Sequence, residues 1–112
     1  MDNGKDDGYY LNKILTDLQF LSEHTEGKTY EEVEADLVLV DCIMFRLIQI
    51  AENSDKLTPA FKIKHSSLPW REIKGMRNRI VHDYGFIDLT IIYDTVIHGI
   101  PEMYDSLKKL CK

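Results

Sequence analysis

The sequence predicts an all-α fold, an antiparallel bundle of four to five helices. Three observations carry that prediction. Apolar residues recur at alternating spacings of three and four along most of the 112-residue chain, which is the period of one face of a helix. Only three Pro and six Gly interrupt it. Few stretches alternate apolar and polar residues with period two, so strands have little support.

The start, Met1 to Gly8, is polar and acidic and contains two glycines. It lacks the basic start and apolar run of a signal peptide and reads as a disordered lead-in; residues 9–112 then form a single domain, the usual result for this length. The first helix is expected from about Tyr9 to Glu23, because Leu11, Ile14, Leu15, Leu18 and Leu21 fall on one stripe. Gly27 follows its end. Thr29 and Glu32 are spaced as a capping box, each side chain able to satisfy the other's free amide. From Val33 the apolar positions 33, 37, 40, 44, 47 and 51 continue the stripe, with Val38, Phe45 and Ile48 broadening it. One helix over Tyr30 to Asn53 is expected, roughly 36 Å long at the helical rise.

Thr58-Pro59 pairs an N-cap residue with proline at the first helical position, so a short helix begins there. Ser66-Ser67-Leu68-Pro69 turns into a further helix whose apolar residues are Trp70, Ile73, Ile80 and Val81, with Gly85 as its stop. Asp88 can cap the last helix, which carries Leu89, Ile92, Val96, Ile97, Ile100, Met103, Leu107 and Leu110. Pro101 lies inside that pattern and must kink or break it, because it removes a backbone donor.

Composition excludes several classes. Hydrophobic residues at 44% and charged residues at 29% are too apolar for disorder and too polar for a membrane protein. No run of eighteen apolar residues could span a bilayer. Cys42 and Cys111 lie far apart in a chain without an export signal, which points to reduced thiols and the cytosol.

The net charge is −5, which at first opposes nucleic-acid binding. Its distribution matters more. From Lys62 to His82 six Lys or Arg (Lys62, Lys64, Arg71, Lys74, Arg77, Arg79) face one acid, Glu72, a local balance of +5 that leaves −10 elsewhere. A basic region on an acidic body suits either one phosphate-binding site or a plain solvated helix face.

Chemistry concentrates in Gly75-Met76-Arg77-Asn78-Arg79-Ile80-Val81-His82-Asp83-Tyr84. Cutting RNA without a metal requires groups that move protons at the 2′-hydroxyl and the leaving oxygen. It also requires a cation for the charge building on phosphorus. Histidine titrates near neutrality and suits the first task; arginine keeps its charge and donates in a planar fork, which suits the second. The spacing is awkward, since residues five apart sit about 140° round a helix from each other. The arginine could wrap round, the helix could loosen near His82, or a second subunit could contribute. Taken alone, one Arg and one His on a helix are more often structural than catalytic. His24, His65 and His98 show no ligand spacing, so no metal site and no cofactor are expected. Trp70 is a core anchor beside Pro69, and Asp83 either tunes His82 or is simply solvated.

Arg77, four residues, His82, one residue, Tyr84 resembles the signature of HepT toxins of the HEPN superfamily. The approach Leu68-Pro69-Trp70-Arg71-Glu72-Ile73-Lys74-Gly75-Met76-Arg77-Asn78 is similar to that family's Pro-Trp lead into Gly-Met-Arg-Asn. Ile50-Ala51-Glu52 resembles its Ile-Gly-Glu-Ala segment, the missing glycine bearing on helix packing. The resemblance covers about Tyr9 to Leu110 and is strongest over residues 68–84. It implies a HEPN-like bundle that forms a homodimer, with Arg–His motifs facing across a cleft. It implies a metal-independent endoribonuclease in which His82 does acid–base work, Arg77 holds phosphate and Asn78 orients the site. Lys74 and Arg79 are candidate RNA contacts. It further implies a nucleotidyltransferase antitoxin that places AMP on Tyr84, adding charge and bulk beside a site for RNA phosphate. Two alternatives stay open: a non-catalytic module that binds a nucleotide or docks the nucleotidyltransferase, and a purely structural dimer.

Overall fold

A computed structural model of the chain describes residues 5–111. The expected disorder of Met1–Gly4 and the state of the Cys111 thiol lie outside the described residues. All regular structure among those residues is helical: α1 (Asp7–Thr25), α2 (Tyr30–Ala35), α3 (Leu37–Asp55), α4 (Pro59–Lys64), α5 (Trp70–Asp83), α6 (Leu89–Asp94) and α7 (Ile100–Lys108). Helix α1 packs along α3 and α7, and α3 also packs along α5. The body measures 42 × 30 × 25 Å.

Helix α1 starts at Asp7, so Asp7 and Gly8, expected to belong to the disordered lead-in Met1–Gly8, are helical instead. The Asp6 carboxylate accepts from the Tyr9 N–H at 3.0 Å and so caps it. At the other end Gly27 takes φ +74°, the left-handed turn that ends a helix at least cost to a residue without Cβ. Ile14, Leu18 and Leu21 are fully buried and form the centre of the core with Ile43, Ile50, Ile80, Ile92 and Leu107. Asp17 interrupts that stripe. It is buried but accepts from Arg46 on α3 at 2.6 Å, and Arg46 in turn lies 4.0 Å over the Phe20 ring. This buried carboxylate keeps its charge satisfied.

The single helix expected over Tyr30–Asn53 is two. The capping box of Thr29 and Glu32 forms, with bonds of 3.1 and 2.8 Å, but α2 ends after six residues. Asp36 leaves helical geometry and its carboxylate caps the Leu39 N–H at 3.0 Å. A short acidic side chain competes for backbone amides in this way and favours a helix start over a helix interior. The break buries Val33 while leaving Leu37 and Val38 about three-quarters exposed. Of the predicted stripe, Val33, Met44, Leu47 and Ala51 are buried and Val40 and Ile48 half-buried, whereas Leu37, Val38 and Phe45 are exposed.

Thr58 caps α4 through the Phe61 N–H, with Pro59 at the first position, as its sequence indicates. Asp88 caps α6. The break expected near Pro101 appears one turn earlier as a π-turn over Thr95–Gly99. Proline offers no N–H to the Ile97 carbonyl, and the Ile100 N–H bonds instead to Thr95 five residues back. The buried residues Ile92, Val96, Ile100, Met103 and Leu107 stay on the core side through this irregularity.

Candidate functional site on the α3–α5 seam

Helix α5 carries the chemical segment and is held to the core by one fully buried residue, Ile80. Trp70, Ile73 and Met76 are half-buried against the core. Val81, expected among the apolar contacts, is 46% exposed. The Trp70 indole donates to the His65 carbonyl at 3.0 Å and fixes the entry to the helix. Gly85 does not act as a left-handed cap. The helix runs regularly to Asp83 and passes into a 3₁₀ turn over Tyr84–Phe86.

Two polar clasps tie α5 to α3. Arg77 Nε donates to Glu52 Oε2 at 3.0 Å, and the Tyr84 hydroxyl donates to Asp41 Oδ1. Asp41 and Glu52 are eleven residues apart, about three turns, and so share one face of α3. Arg77 and Tyr84 are seven apart, about two turns. The higher-numbered residue of α3 pairs with the lower-numbered partner, so the two helices run antiparallel. Phe45 and Ile48 on α3 and Val81 on α5 fall between the clasped positions along their helices, Phe45 and Val81 exposed and Ile48 half-buried.

Arg77 makes a second bond, Nη1 to Asn78 Oδ1 at 3.1 Å. This bears on the awkward spacing. Asn78 lies about 100° round the helix from Arg77 and His82 about 140° in the same sense, so Asn78 and His82 are only about 40° apart and one turn from each other. The guanidinium thus reaches toward the face that carries His82. Of the three ways to unite the pair, loosening of the helix is not used, because α5 stays α-helical through His82. Wrapping of the arginine is begun. Two of its five N–H groups are engaged, and three remain to donate.

His82 is exposed and has no hydrogen bond or ion pair among the described residues. Asn78, Lys74 and Arg79 are exposed as well, the two cations without an ion pair among those residues. Tyr84 is 48% exposed. Its phenol is held above the usual tyrosine range, first by its hydrogen bond to Asp41, then by partial burial and by that carboxylate's charge. No described group of three or more His, Cys, Asp or Glu lies close enough to hold a metal ion. His24 stacks on Phe20, His65 leans on Phe61, and His98 meets Asp94 at 3.6 Å. Cys42 is a half-buried free thiol. Among the described residues no helix is long and apolar enough to cross a membrane.

Asp41 and Glu52 are the site residues that motif reading misses. Glu52 stands in the Ile-Ala-Glu segment, where the glycine position alone draws attention, and Asp41 belongs to no motif. The available signal was a pair of carboxylates eleven residues apart on one face of an otherwise apolar helix.

The fold and site define a class: a helical bundle with an anchored arginine and a histidine unpaired among the described residues on one helix, and a surface tyrosine in the turn that follows it. A family model described as Ribonuclease HepT-like matches residues 14–110, and the chain belongs to that family, within the HEPN superfamily. A relative from Caldanaerobacter subterraneus subsp. tengcongensis, named "Putative RNase TTE0752", is 36% identical over 101 residues, covering 90% of each chain. A relative from Thermococcus cleftensis, named "Probable ribonuclease HepT", is 29% identical over 103 residues, covering 92% of this chain and 94% of its own. No solved structure matches the chain.

Proposed function

We propose that this protein is the toxin of a toxin–antitoxin pair, a metal-independent endoribonuclease working in the cytoplasm, with Arg77 and His82 at the cleft of a homodimer. The observation that carries the reading is the state of the two side chains. Arg77 is anchored at two nitrogens with three N–H groups left over, while His82 stands exposed without a partner among the described residues. That is the pairing a phosphodiester requires: a fixed cation for the phosphate oxygens and an unengaged imidazole for the proton. In the proposed reaction the ribose 2′-oxygen attacks phosphorus and the bond to the 5′-oxygen breaks. An imidazole takes the proton from the first oxygen, and one returns a proton to the second. A homodimer supplies two imidazoles, and the exposed Leu37, Val38, Phe45 and Phe86 favour such a partner. Lys74 and Arg79 would meet flanking phosphates.

A nucleotidyltransferase antitoxin would silence the site by transferring AMP to Tyr84, whose phenol is reachable from solvent. The test is His82→Ala. The side chain is exposed and unpaired, so folding is expected to be unchanged while RNA cleavage falls by about 100-fold or more. Unchanged cleavage and unchanged growth inhibition would overturn the reading. One observation favours a second reading, a non-catalytic module that docks the nucleotidyltransferase or holds a nucleotide: the Arg77 guanidinium is already partly satisfied by Glu52. Purified dimer that binds its partner yet cuts no RNA would select it.

A further inference from the structure

The phenol of Tyr84 donates its one hydrogen bond among the described residues to Asp41 of α3. Asp41 is exposed, so the contact is not forced by burial. It sits at the end of the seam opposite Glu52, and it reaches a residue forty-three positions away in sequence. A surface tyrosine ordinarily leaves its hydroxyl to water. Here it is pinned, with its proton already directed at a carboxylate.

We infer that Asp41 orients the Tyr84 hydroxyl and accepts its proton when that oxygen takes a nucleotidyl group. The inference rests on the proposed modification of Tyr84 and adds a residue to it. In the step, Tyr84 Oη forms a bond to the α-phosphorus of ATP. The bond from that phosphorus to the bridging oxygen breaks, and pyrophosphate leaves with the electron pair. The phenolic proton passes to Asp41 Oδ1. A phenol that stays protonated at neutral pH is a weak nucleophile, and attack proceeds only as its proton is removed. The same contact that holds Tyr84 above its usual range therefore provides the acceptor along the line of departure. The bond also fixes the side-chain torsions, so the oxygen is presented in one position outside the helix pair.

The experiment compares the wild-type chain with Asp41→Asn, Asp41→Glu and Tyr84→Phe. Each is incubated with ATP and a nucleotidyltransferase of the antitoxin type, and AMP transfer is followed by intact mass. Asp41→Asn is expected to lower the rate constant of transfer by about 100-fold with little change in the KM for the chain. Asp41→Glu is expected to recover part of that loss, and Tyr84→Phe to abolish transfer. A second readout needs no partner: in chains carrying carbon-13 tyrosine, the Tyr84 phenol should titrate closer to an ordinary tyrosine in Asp41→Asn than in wild type. Transfer to Asp41→Asn at the wild-type rate, with Tyr84→Phe inert, would overturn the role of Asp41 alone. Transfer that persists in Tyr84→Phe, or is absent from wild type, would overturn the modification itself. An unmoved Tyr84 titration in Asp41→Asn would remove the contact on which the inference stands.

Discussion

Replacing Ile80 with alanine tests whether one side chain holds the site helix to the core. Ile80 is fully buried, and no other residue of α5 is. The substitution removes three carbons, worth about 2.4 kcal/mol at ~0.8 kcal/mol per buried methylene. The space left between α3 and α5 adds a cavity cost, because helices held by clasps at both ends cannot close fully, and the total rises to about 4 kcal/mol. A chain of 112 residues has a stability of about 10 kcal/mol, so the loss would be a large fraction of the whole. Urea unfolding followed by far-UV circular dichroism reads it as a lower midpoint with an unchanged slope. In a thermal melt the shift is about 15 °C. Ile80→Val should cost only about 1 kcal/mol. If Ile80→Ala costs less than about 1 kcal/mol, α5 is anchored elsewhere, and the reasoning that ties Arg77 and His82 to this residue fails.

Arg46→Met leaves the Asp17 carboxylate buried without its partner, and a loss of about 3 kcal/mol in chemical denaturation is expected; the double variant with Asp17→Asn should regain part of it. Glu52→Gln keeps the shape of the clasp but weakens it. Because both partners are one-third to one-half exposed, stability should change by less than about 1 kcal/mol, while RNA cleavage falls roughly tenfold as the guanidinium loses its fixed position. For Glu32, the capping bonds to Thr29 hold the carboxyl below its ordinary value. Its contribution is therefore complete above that ordinary value and is lost as pH falls through the lowered one. Thermal melts of wild type and Glu32→Gln should differ near neutrality and converge in acid.

Several local signals in the sequence have local outcomes in the fold, although Gly85, expected as the stop of α5, does not act as one. Thr58-Pro59, Asp88, Gly27 and the Thr29–Glu32 pair each act on amides or torsions within four residues, and each is found doing so. Asp36 shows the limit of periodicity. A polar residue between Val33 and Leu37 looks like the outer face of one long helix, and the pattern cannot register that its side chain caps Leu39 more favourably than the helix continues. Pro101 announced a break but not its form, because the displaced bond falls on Thr95 and Ile100, upstream of the proline. In the site, the triplet of Arg77, His82 and Tyr84 was visible as a motif. Its two acidic holders were not, since Glu52 and Asp41 meet their partners across twenty-five and forty-three residues. Nor could the angle between Arg77 and His82 disclose that Asn78 bridges most of it.

One contact at the far end of the chain ties its beginning to its middle. Asp7, in the first turn of α1, accepts from the Thr58 N–H at 2.8 Å and from its hydroxyl at 2.7 Å. The same hydroxyl oxygen then accepts the Phe61 amide that opens α4. Helix α4 has no fully buried residue, so this acid-to-alcohol-to-amide relay joins the packing of Phe61 against the core and the Trp70 ring in holding it. Asp7 therefore acts as a guy-line on the corner that leads, through His65 and Trp70, into the arginine-bearing helix. Trimming the chain past Asp7, or replacing that aspartate, would slacken the corner at a distance while leaving every residue of the proposed cutting site in place.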